Sequence, residues 1–287
     1  MTFYIGIILA FACAGITQLG FLYKHKGASA VAKVDVAHPL RTIRSLFSNK
    51  WFAIGMAVAV GAWVLHVLAM ALAPLSVVQA VLSTGVVMLA VLAERVFGFK
   101  VGRRQWLGVG LTALGLVLLV VTLPHAPGSH SKFSLPAMIA FEAGMLALGF
   151  LLISGKRLGA PDRHHGVLLG AASGILFGVS DVSIKALTGL DGIAAVAVSP
   201  WLLITIVASV IAFYASARGL QDGEAVPVIA ATSTAANVSA IAGGILVFGD
   251  PLPGDALGVI VQLAAFALVI IAAVLVPPPV RAAAANA

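Results

Sequence analysis

Long apolar stretches alternate along this chain with short polar connections, and their length indicates helices that cross a membrane. Nine stretches hold about 20 mostly apolar residues each, enough to cross a hydrocarbon core of ~30 Å at 1.5 Å per helical residue. We therefore predict an all-α polytopic membrane protein with nine transmembrane helices, in a single transmembrane domain over residues 1–276. These predicted helices, numbered as spans one to nine, cover residues 3–23, 51–72, 75–97, 104–123, 135–155, 166–188, 199–217, 225–248 and 254–276.

Two segments outside the spans have patterns of their own. In residues 39–47 (PLRTIRSLF) the apolar positions share one helical face and the arginines occupy another, which predicts a short interfacial helix. Residues 277–287 begin with three prolines and are rich in alanine, so we predict a disordered cytoplasmic tail. Composition agrees with a membrane protein, because 61% of the residues are hydrophobic, 9% are charged and the mean hydropathy is +1.11. These values exclude an ordinary soluble domain.

The basic residues fall almost entirely in alternate connections, which predicts the orientation of the chain. If the N-terminus lies outside, 15 of the 17 Lys and Arg residues are cytoplasmic, as the positive-inside rule requires. We therefore predict a multi-pass protein of the plasma or inner membrane with an outer N-terminus and a cytoplasmic C-terminus. This topology explains the net charge of +7 without a nucleic-acid partner. The cytoplasmic set is Lys24, Lys26, Lys33, Arg41, Arg44, Lys50, Arg95, Lys100, Arg103, Arg104, Lys156, Arg157, Arg163, Arg218 and Arg281, which leaves Lys132 and Lys185 outside.

Similar short segments recur at a nearly constant offset, which predicts an internal repeat. The repeat unit has five helices, an odd number, so the second copy enters the membrane in the opposite orientation. We predict a repeat 1 over residues 3–155, which holds spans one to five, and a repeat 2 over residues 166–276, which holds spans six to nine. Spans one to four superpose on spans six to nine, and span five is unmatched. Inverted repeats of this kind suit alternating access. The matched segments are 83–84 with 233–234, 96–98 with 247–249 and 107–109 with 257–259, always 150 or 151 positions apart.

Four ionisable residues lie inside predicted spans, where a charge costs roughly 2.5–3.5 kcal/mol at a helix centre and usually marks a site. They are His66 in span two, Glu142 in span five, and Asp181 and Lys185 in span six. At 1.5 Å per residue, the first three lie at one level, roughly 10 Å below the outer surface. Asp181 and Lys185, four positions apart, either pair structurally with each other or serve a site. Glu142 has no local partner, and we predict that it faces a polar cavity, whereas a neutral His66 could simply bond a neighbouring carbonyl.

A second set of polar residues is uncharged and lies on spans one, three and eight. Gln79 and Ser83 are one helical turn apart on span three, Ser233 and Asn237 are one turn apart on span eight, and Gln18 lies on span one. This symmetry favours a shared central cavity, although hydrogen bonds that only hold the bundle together explain any single residue equally well. Nucleotide-binding loops and hydrolase motifs do not occur in the sequence, so we expect neither an enzyme nor a cofactor. The sequence does not identify a metal site.

Five segments carry a family resemblance: GITQLGFLYKHKG (15–27), ALAPLSVVQ (71–79), LAER (92–95), TLPHAP (122–127) and GVSDVSIKAL (178–187). They resemble motifs of the EamA-like drug/metabolite transporter (DMT) superfamily, and within it those of the NIPA-type magnesium transporters. The resemblance implies the superfamily fold, a transport activity and magnesium as one substrate. Three positions depart from it. Trp63 and His66 stand where the NIPA pattern has an acid and an asparagine, and Asp181 replaces a small polar residue.

These patterns together predict a secondary transporter that moves a small polar or cationic solute by alternating access, as a monomer or a homodimer. Proton coupling and a magnesium-like divalent cation are its specific cases. Two other classes remain open: a flippase for a lipid-linked substrate, which requires a lateral opening between helices, and a non-transporting subunit or scaffold. The predicted substrate-binding or coupling residues are Glu142, Asp181, Lys185, His66, Gln79, Ser83, Asn237, Ser233 and Gln18.

Overall fold

In a computed structural model, the described part of the chain is helical and contains no strand. The structure describes residues 2–35, 37–85, 131–250 and 252–275, together with isolated helical positions between 88 and 122. Short 3-10 turns at Gly155–Leu158 and Asp162–His164 join two of the helices. In chain order the helices are α1 (Thr2–Ala28), α2 (Pro39–Phe47), α3 (Lys50–Leu72), α4 (Leu75–Leu82), α5 (Leu135–Ile153), α6 (His165–Leu187), α7 (Ile193–Val198), α8 (Pro200–Asp222), α9 (Ala225–Phe248) and α10 (Ala256–Leu275).

Six of the described helices, namely α1, α3, α5, α6, α8 and α9, are long and apolar enough to cross a membrane. The chain is therefore a polytopic membrane protein, as predicted. Helix α10, which matches span nine, begins with a further apolar segment over Ala256–Ala265. Of span four, and of span three beyond residue 85, only isolated positions are described. The matched repeat segment 96–98, most of the segment 107–109 and the tail 277–287 lie outside the described residues.

Three helix boundaries differ from prediction by five residues or more. Helix α8 ends at Asp222, whereas span seven was predicted to end at residue 217. Helix α1 continues to Ala28, five residues beyond the predicted end of span one, so Lys24 is helical and does not lie in a connection. The reason is that a lysine can extend a transmembrane helix when its alkyl stem lies along apolar surface. Helix α4 ends at Leu82, where span three was predicted to continue. There the Thr84 amide donates to the Val81 carbonyl at 3.0 Å, a tightened 3-10 turn.

The long helices pack in antiparallel and parallel pairs around the central helix α6. Close contacts at Gly166 with Gly223, where a β-carbon would lie 2.6 Å from backbone atoms, place the start of α6 against the end of α8. Helices α6 and α9 run parallel, since Gly170 contacts Val228 and later positions of α6 meet later positions of α9. Because these glycines lack a β-carbon, the backbones approach closely, which is the usual way membrane helices gain packing contacts.

The bundle has one basic end, which we define by the end of α1, the starts of α3 and α6, and the end of α8. Here the Lys33 ammonium lies 2.9 Å from the Asp222 carboxylate, and a His25 ring nitrogen lies 3.2 Å from the Leu220 carbonyl oxygen. At the opposite end, the Ser134 amide donates to the Val247 carbonyl at 3.2 Å. Helix α1 therefore ends where α6 begins, and the two helices run in opposite directions.

Helices α3 and α8 start in the same way, 150 positions apart, and each contains 23 residues. The Asn49 side chain accepts a hydrogen bond from the Trp51 amide at 2.9 Å, and the Ser199 hydroxyl accepts one from the Trp201 amide at 3.4 Å. In both cases an extended residue with a polar side chain satisfies an amide that the first helical turn leaves free. The offset equals the one found in the sequence.

The helices also end in the same way. Ala73 (φ −143°, ψ 159°) and Pro74 (φ −55°, ψ 147°) form an extended link between α3 and α4. Gly223 (φ −136°, ψ 170°) and Glu224 (φ −75°, ψ 143°) form the matching link between α8 and α9, again 150 positions later. The following helices differ, because α9 is continuous whereas α4 is interrupted after Leu82.

Candidate functional site

A cavity of about 180 Å³ lies inside the bundle, between α1, α3, α4, α6 and α9. It combines polar side chains from five helices with the aromatic rings of Phe21, Trp63 and Phe177. Its size leaves room for several water molecules at ~30 Å³ each. The cavity is lined by Cys13 and by the polar residues Thr17, Gln18, Lys24, His66, Gln79, Asp181, Thr232, Ser233 and Asn237.

Asp181, His66 and Gln79 form the most strongly connected group in this cavity. The Gln79 side-chain amide donates to Asp181 Oδ2 at 3.0 Å and lies 2.9 Å from His66 Nε2. Since the amide nitrogen can only donate, His66 Nε2 accepts in this arrangement and the proton of the neutral ring lies on Nδ1. That nitrogen lies 3.7 Å from Asp181 Oδ1. The structure thus brings together residues from three helices that are up to 115 positions apart in sequence.

The middle of the cavity is lined by amides and hydroxyls. Gln18 Nε2 donates to the Ser233 hydroxyl at 3.0 Å, which joins α1 to α9. The Asn237 side chain, 7% exposed, has no hydrogen bond to a residue that the structure describes, although it lines the cavity. Ser83 is placed differently from these, since its hydroxyl donates to the Gln79 carbonyl at 2.9 Å and the residue does not line the cavity.

Lys185 does not pair with Asp181, so the structural pair suggested by their spacing is wrong. The fully buried Lys185 ammonium instead donates to the carbonyls of Met70 at 2.8 Å and Ala73 at 3.1 Å. Both carbonyls lie at the end of α3, where the last turn of a helix leaves acceptors unpaired and favours a cation. The long side chain reaches this richer set of acceptors on a neighbouring helix. Lys185 therefore closes the end of the bundle opposite to the basic end.

Asp250 acts at the same end and was not singled out by the sequence analysis. Its carboxylate, in the connection after α9, accepts a hydrogen bond from the Ser76 amide at 2.8 Å and is the charged group that acts on Lys185. Residue 250 follows a glycine and precedes a proline, which marks a turn but gives no signal of burial. Lys185 and Asp250 together hold the α3–α4 link between them.

Glu142 lies in the interface between α5 and α6 and does not line the cavity. Its carboxylate accepts a hydrogen bond from the Ser183 hydroxyl at 2.9 Å, and its second oxygen is buried without a hydrogen-bond partner among the described residues. The depth argument therefore groups His66 with Asp181 but not with Glu142. Its role in coupling stays a prediction.

A second, apolar space adjoins the cavity. This lateral groove, about 440 Å³, lies between α3 and α8 and shares Lys24, Ala59, Trp63 and Phe177 with the cavity. The sequence analysis counted Lys24 as a loop charge, and only the longer α1 brings it to this position. The remaining groove residues are Phe52, Met56, Val60, Thr205, Ile206, Ser209, Val210, Phe213, Ser216, Ala217 and Leu220.

Comparison with known proteins gives one informative similarity. The chain is 24% identical over 286 residues to a protein of Arabidopsis thaliana named as a probable magnesium transporter, NIPA9, and the alignment covers 94% of this chain and 80% of that protein. Protein-family profiles give no match, and neither do solved structures. The similarity spans nearly the whole chain and agrees with the resemblance seen in the sequence motifs.

Proposed function

We propose that this protein is a secondary transporter that carries a small cationic solute through the cavity at Asp181. The observation that carries this proposal is a buried carboxylate that faces a polar cavity between helices and is held by Gln79 rather than by a lysine or arginine. A carboxylate inside a membrane is costly unless it serves such a purpose. The amides and hydroxyls that α1 and α9 contribute to the cavity supply further neutral ligands for a cation.

Magnesium is the specific cation that we propose. The similarity to a probable magnesium transporter supports it, and so does the composition of the cavity. Mg²⁺ gives up its waters reluctantly and is usually bound through one or two carboxylates with several waters retained. The described residues contain no group of three His, Cys, Asp or Glu that could hold a bare metal ion. A hydrated ion held by Asp181 and by the side-chain oxygens of Gln18, Ser233 and Asn237 fits this site better than a dehydrated one.

We further propose that transport follows alternating access between two inverted halves, with the N-terminus outside and the C-terminus in the cytoplasm. The matching starts and ends of α3 and α8, 150 positions apart, support a duplication. The opposite directions of α1 and α6 support inversion. In this state the contacts of Lys185 and Asp250 close one end of the bundle. We assign that end to the outside because the basic residues gather at the other.

A proton competes with the cation in this scheme. Protonation of His66 at Nε2 removes the acceptor that now faces the Gln79 amide. The Gln79 side chain would then have to turn over and could no longer donate to Asp181. The charged groups near this network are Lys24 in the cavity and Lys185 one turn further along α6. Cation loading and His66 protonation therefore oppose each other.

Flux of Mg²⁺ into vesicles that contain the purified protein tests the proposal. Asp181→Asn keeps the shape and removes the charge, and we expect at least a tenfold loss of apparent affinity, since hydrogen bonds to charged groups contribute about 1.5–3 kcal/mol. Asp162→Asn is the matched control, because Asp162 is exposed at the basic end, pairs with Lys156 and does not line the cavity. Wild-type flux in Asp181→Asn, or no Mg²⁺ flux in the wild type, contradicts the proposal.

A flippase for a lipid-linked substrate is the second candidate, and the lateral groove is the observation that favours it. The groove supplies the opening between helices that such a substrate needs. In the same vesicles, a flippase would translocate a labelled polyprenyl-phosphate-linked sugar and give no Mg²⁺ flux. The two functions therefore predict opposite results in paired assays.

A further inference from the structure

The lateral groove is long enough to hold the whole of an acyl chain that enters from one leaflet of the membrane. Along α8 its lining runs from Thr205 to Leu220, which is about 22 Å at 1.5 Å per residue. One leaflet of a ~30 Å hydrocarbon core is about 15 Å thick. Since Leu220 lies at the basic end, the groove begins at that membrane surface and passes the midplane.

Part of the groove wall lies on the outer surface of the helix bundle. Val60 is 56% exposed, Ile206 52% and Val210 50%, and all three line the groove. Water has few partners there, because the lining is mostly aliphatic and aromatic. In a bilayer the space is filled by hydrocarbon.

Lys24 adds a charge at the inner wall of this groove. Its ammonium lies 3.9 Å from the centre of the Phe21 ring and has no ion pair or hydrogen bond to any residue that the structure describes. The backbone of α1 packs closely against α3 there, since a β-carbon on Gly55 would lie 2.7 Å from the backbone nitrogen of Lys24. An ammonium held in apolar surroundings without an anion is costly. Basic pockets between helices at a cytoplasmic surface bind anionic lipid headgroups.

We propose that the groove binds an anionic phospholipid of the surrounding membrane, with an acyl chain between α3 and α8 and the phosphate on the Lys24 ammonium. The polar cavity and the apolar groove meet at Lys24, so the lipid phosphate also cancels a positive charge at the entrance of the cavity. If the proposed function holds, the lipid makes the cavity more accessible to cations. The binding itself does not depend on that function.

The full chain is reconstituted in vesicles of equal parts phosphatidylglycerol and phosphatidylcholine and is then released from them. Native mass spectrometry measures which lipid the protein retains. The wild type retains phosphatidylglycerol preferentially. Lys24→Met keeps the apolar stem and removes the charge, and lowers this preference roughly five-fold, the effect of one lysine near a charged surface. Lys26→Met is the matched control, because the exposed Lys26 lies 3.8 Å from the Trp51 ring centre and does not line the groove. An unchanged preference in Lys24→Met overturns the proposal.

A second variant tests the acyl chain separately from the headgroup. Val210→Trp adds bulk from the exposed wall and lowers retention of both lipids, and equal retention in this variant also overturns the proposal. Recovery of a lipid-linked sugar in place of phospholipid assigns the groove to a transported substrate and refutes a resident lipid. Normal lipid retention combined with no Mg²⁺ flux upholds the lipid site and refutes only the proposed function.

Discussion

Replacing Lys185 by methionine tests the closed end of the bundle most directly. The residue is fully buried, and its ammonium donates to the carbonyls of Met70 and Ala73 at the end of α3. Methionine fills most of the same volume but leaves both acceptors unpaired. It also leaves the Asp250 carboxylate without the cation that acts on it.

The expected loss of stability follows from these contacts. A buried acceptor without a donor costs about 1–3 kcal/mol, and a cation at a helix C-terminus contributes about 0.3–2 kcal/mol. The methionine variant no longer buries an ammonium, and desolvating a charge is itself costly. This gain offsets part of the loss. We expect Lys185→Met to lower the free energy of unfolding by about 3 kcal/mol. At 2–4 °C per kcal/mol for a chain of this class, Tm falls by roughly 6–12 °C.

Thermal unfolding in detergent, followed by tryptophan fluorescence, measures this change. Lys156→Met is the matched control, because Lys156 pairs with Asp162 at the surface, where the two side chains are 60% and 79% exposed. Such a pair contributes under about 1 kcal/mol. Equal Tm values for Lys185→Met and the wild type would refute the structural role of Lys185. An equal loss in both variants would show that the charge itself matters and its position does not.

Three further predictions use other parts of the structure. Glu142→Gln keeps the fold and weakens the pH dependence of transport between about pH 5 and 8 but leaves the part that His66 contributes, since glutamine retains the shape and cannot titrate; an unchanged pH profile contradicts this. A cysteine at Ser45 is labelled only from the cytoplasm and one at Ser129, which lies outside the described residues, only from outside; the reverse pattern inverts the orientation. Gly174→Leu separates α6 from α9 and lowers Tm by several degrees, whereas Gly144→Leu, where a β-carbon would meet no atom of the described residues within 4 Å, leaves Tm unchanged.

The long helices could be predicted from the sequence to within a few residues. Span two was predicted as 51–72 and α3 covers Lys50–Leu72, while span eight and α9 share the bounds 225–248. The physical reason is that a chain in lipid must satisfy its backbone hydrogen bonds within each helix, so length and hydropathy are local properties. Helix partners are not local. The contact of Gln79 with Asp181 joins positions 102 apart, and nothing in either segment specifies it.

One cause explains why the sequence did not indicate the roles of Lys24, Lys185 and Asp250. A hydropathy pattern assigns a charged residue to a span or to a connection from its neighbours in sequence. The role of that residue depends instead on which unpaired groups its side chain can reach in the folded protein. Lys185 has an acid one turn away but reaches two free carbonyls on α3, so the neighbour in sequence is not the partner. Asp250 lies in a turn but reaches the free Ser76 amide at the start of α4. Lys24 reaches no anion in the described chain, and the same reasoning that assigns partners to the other two favours the anionic lipid that we propose as its partner.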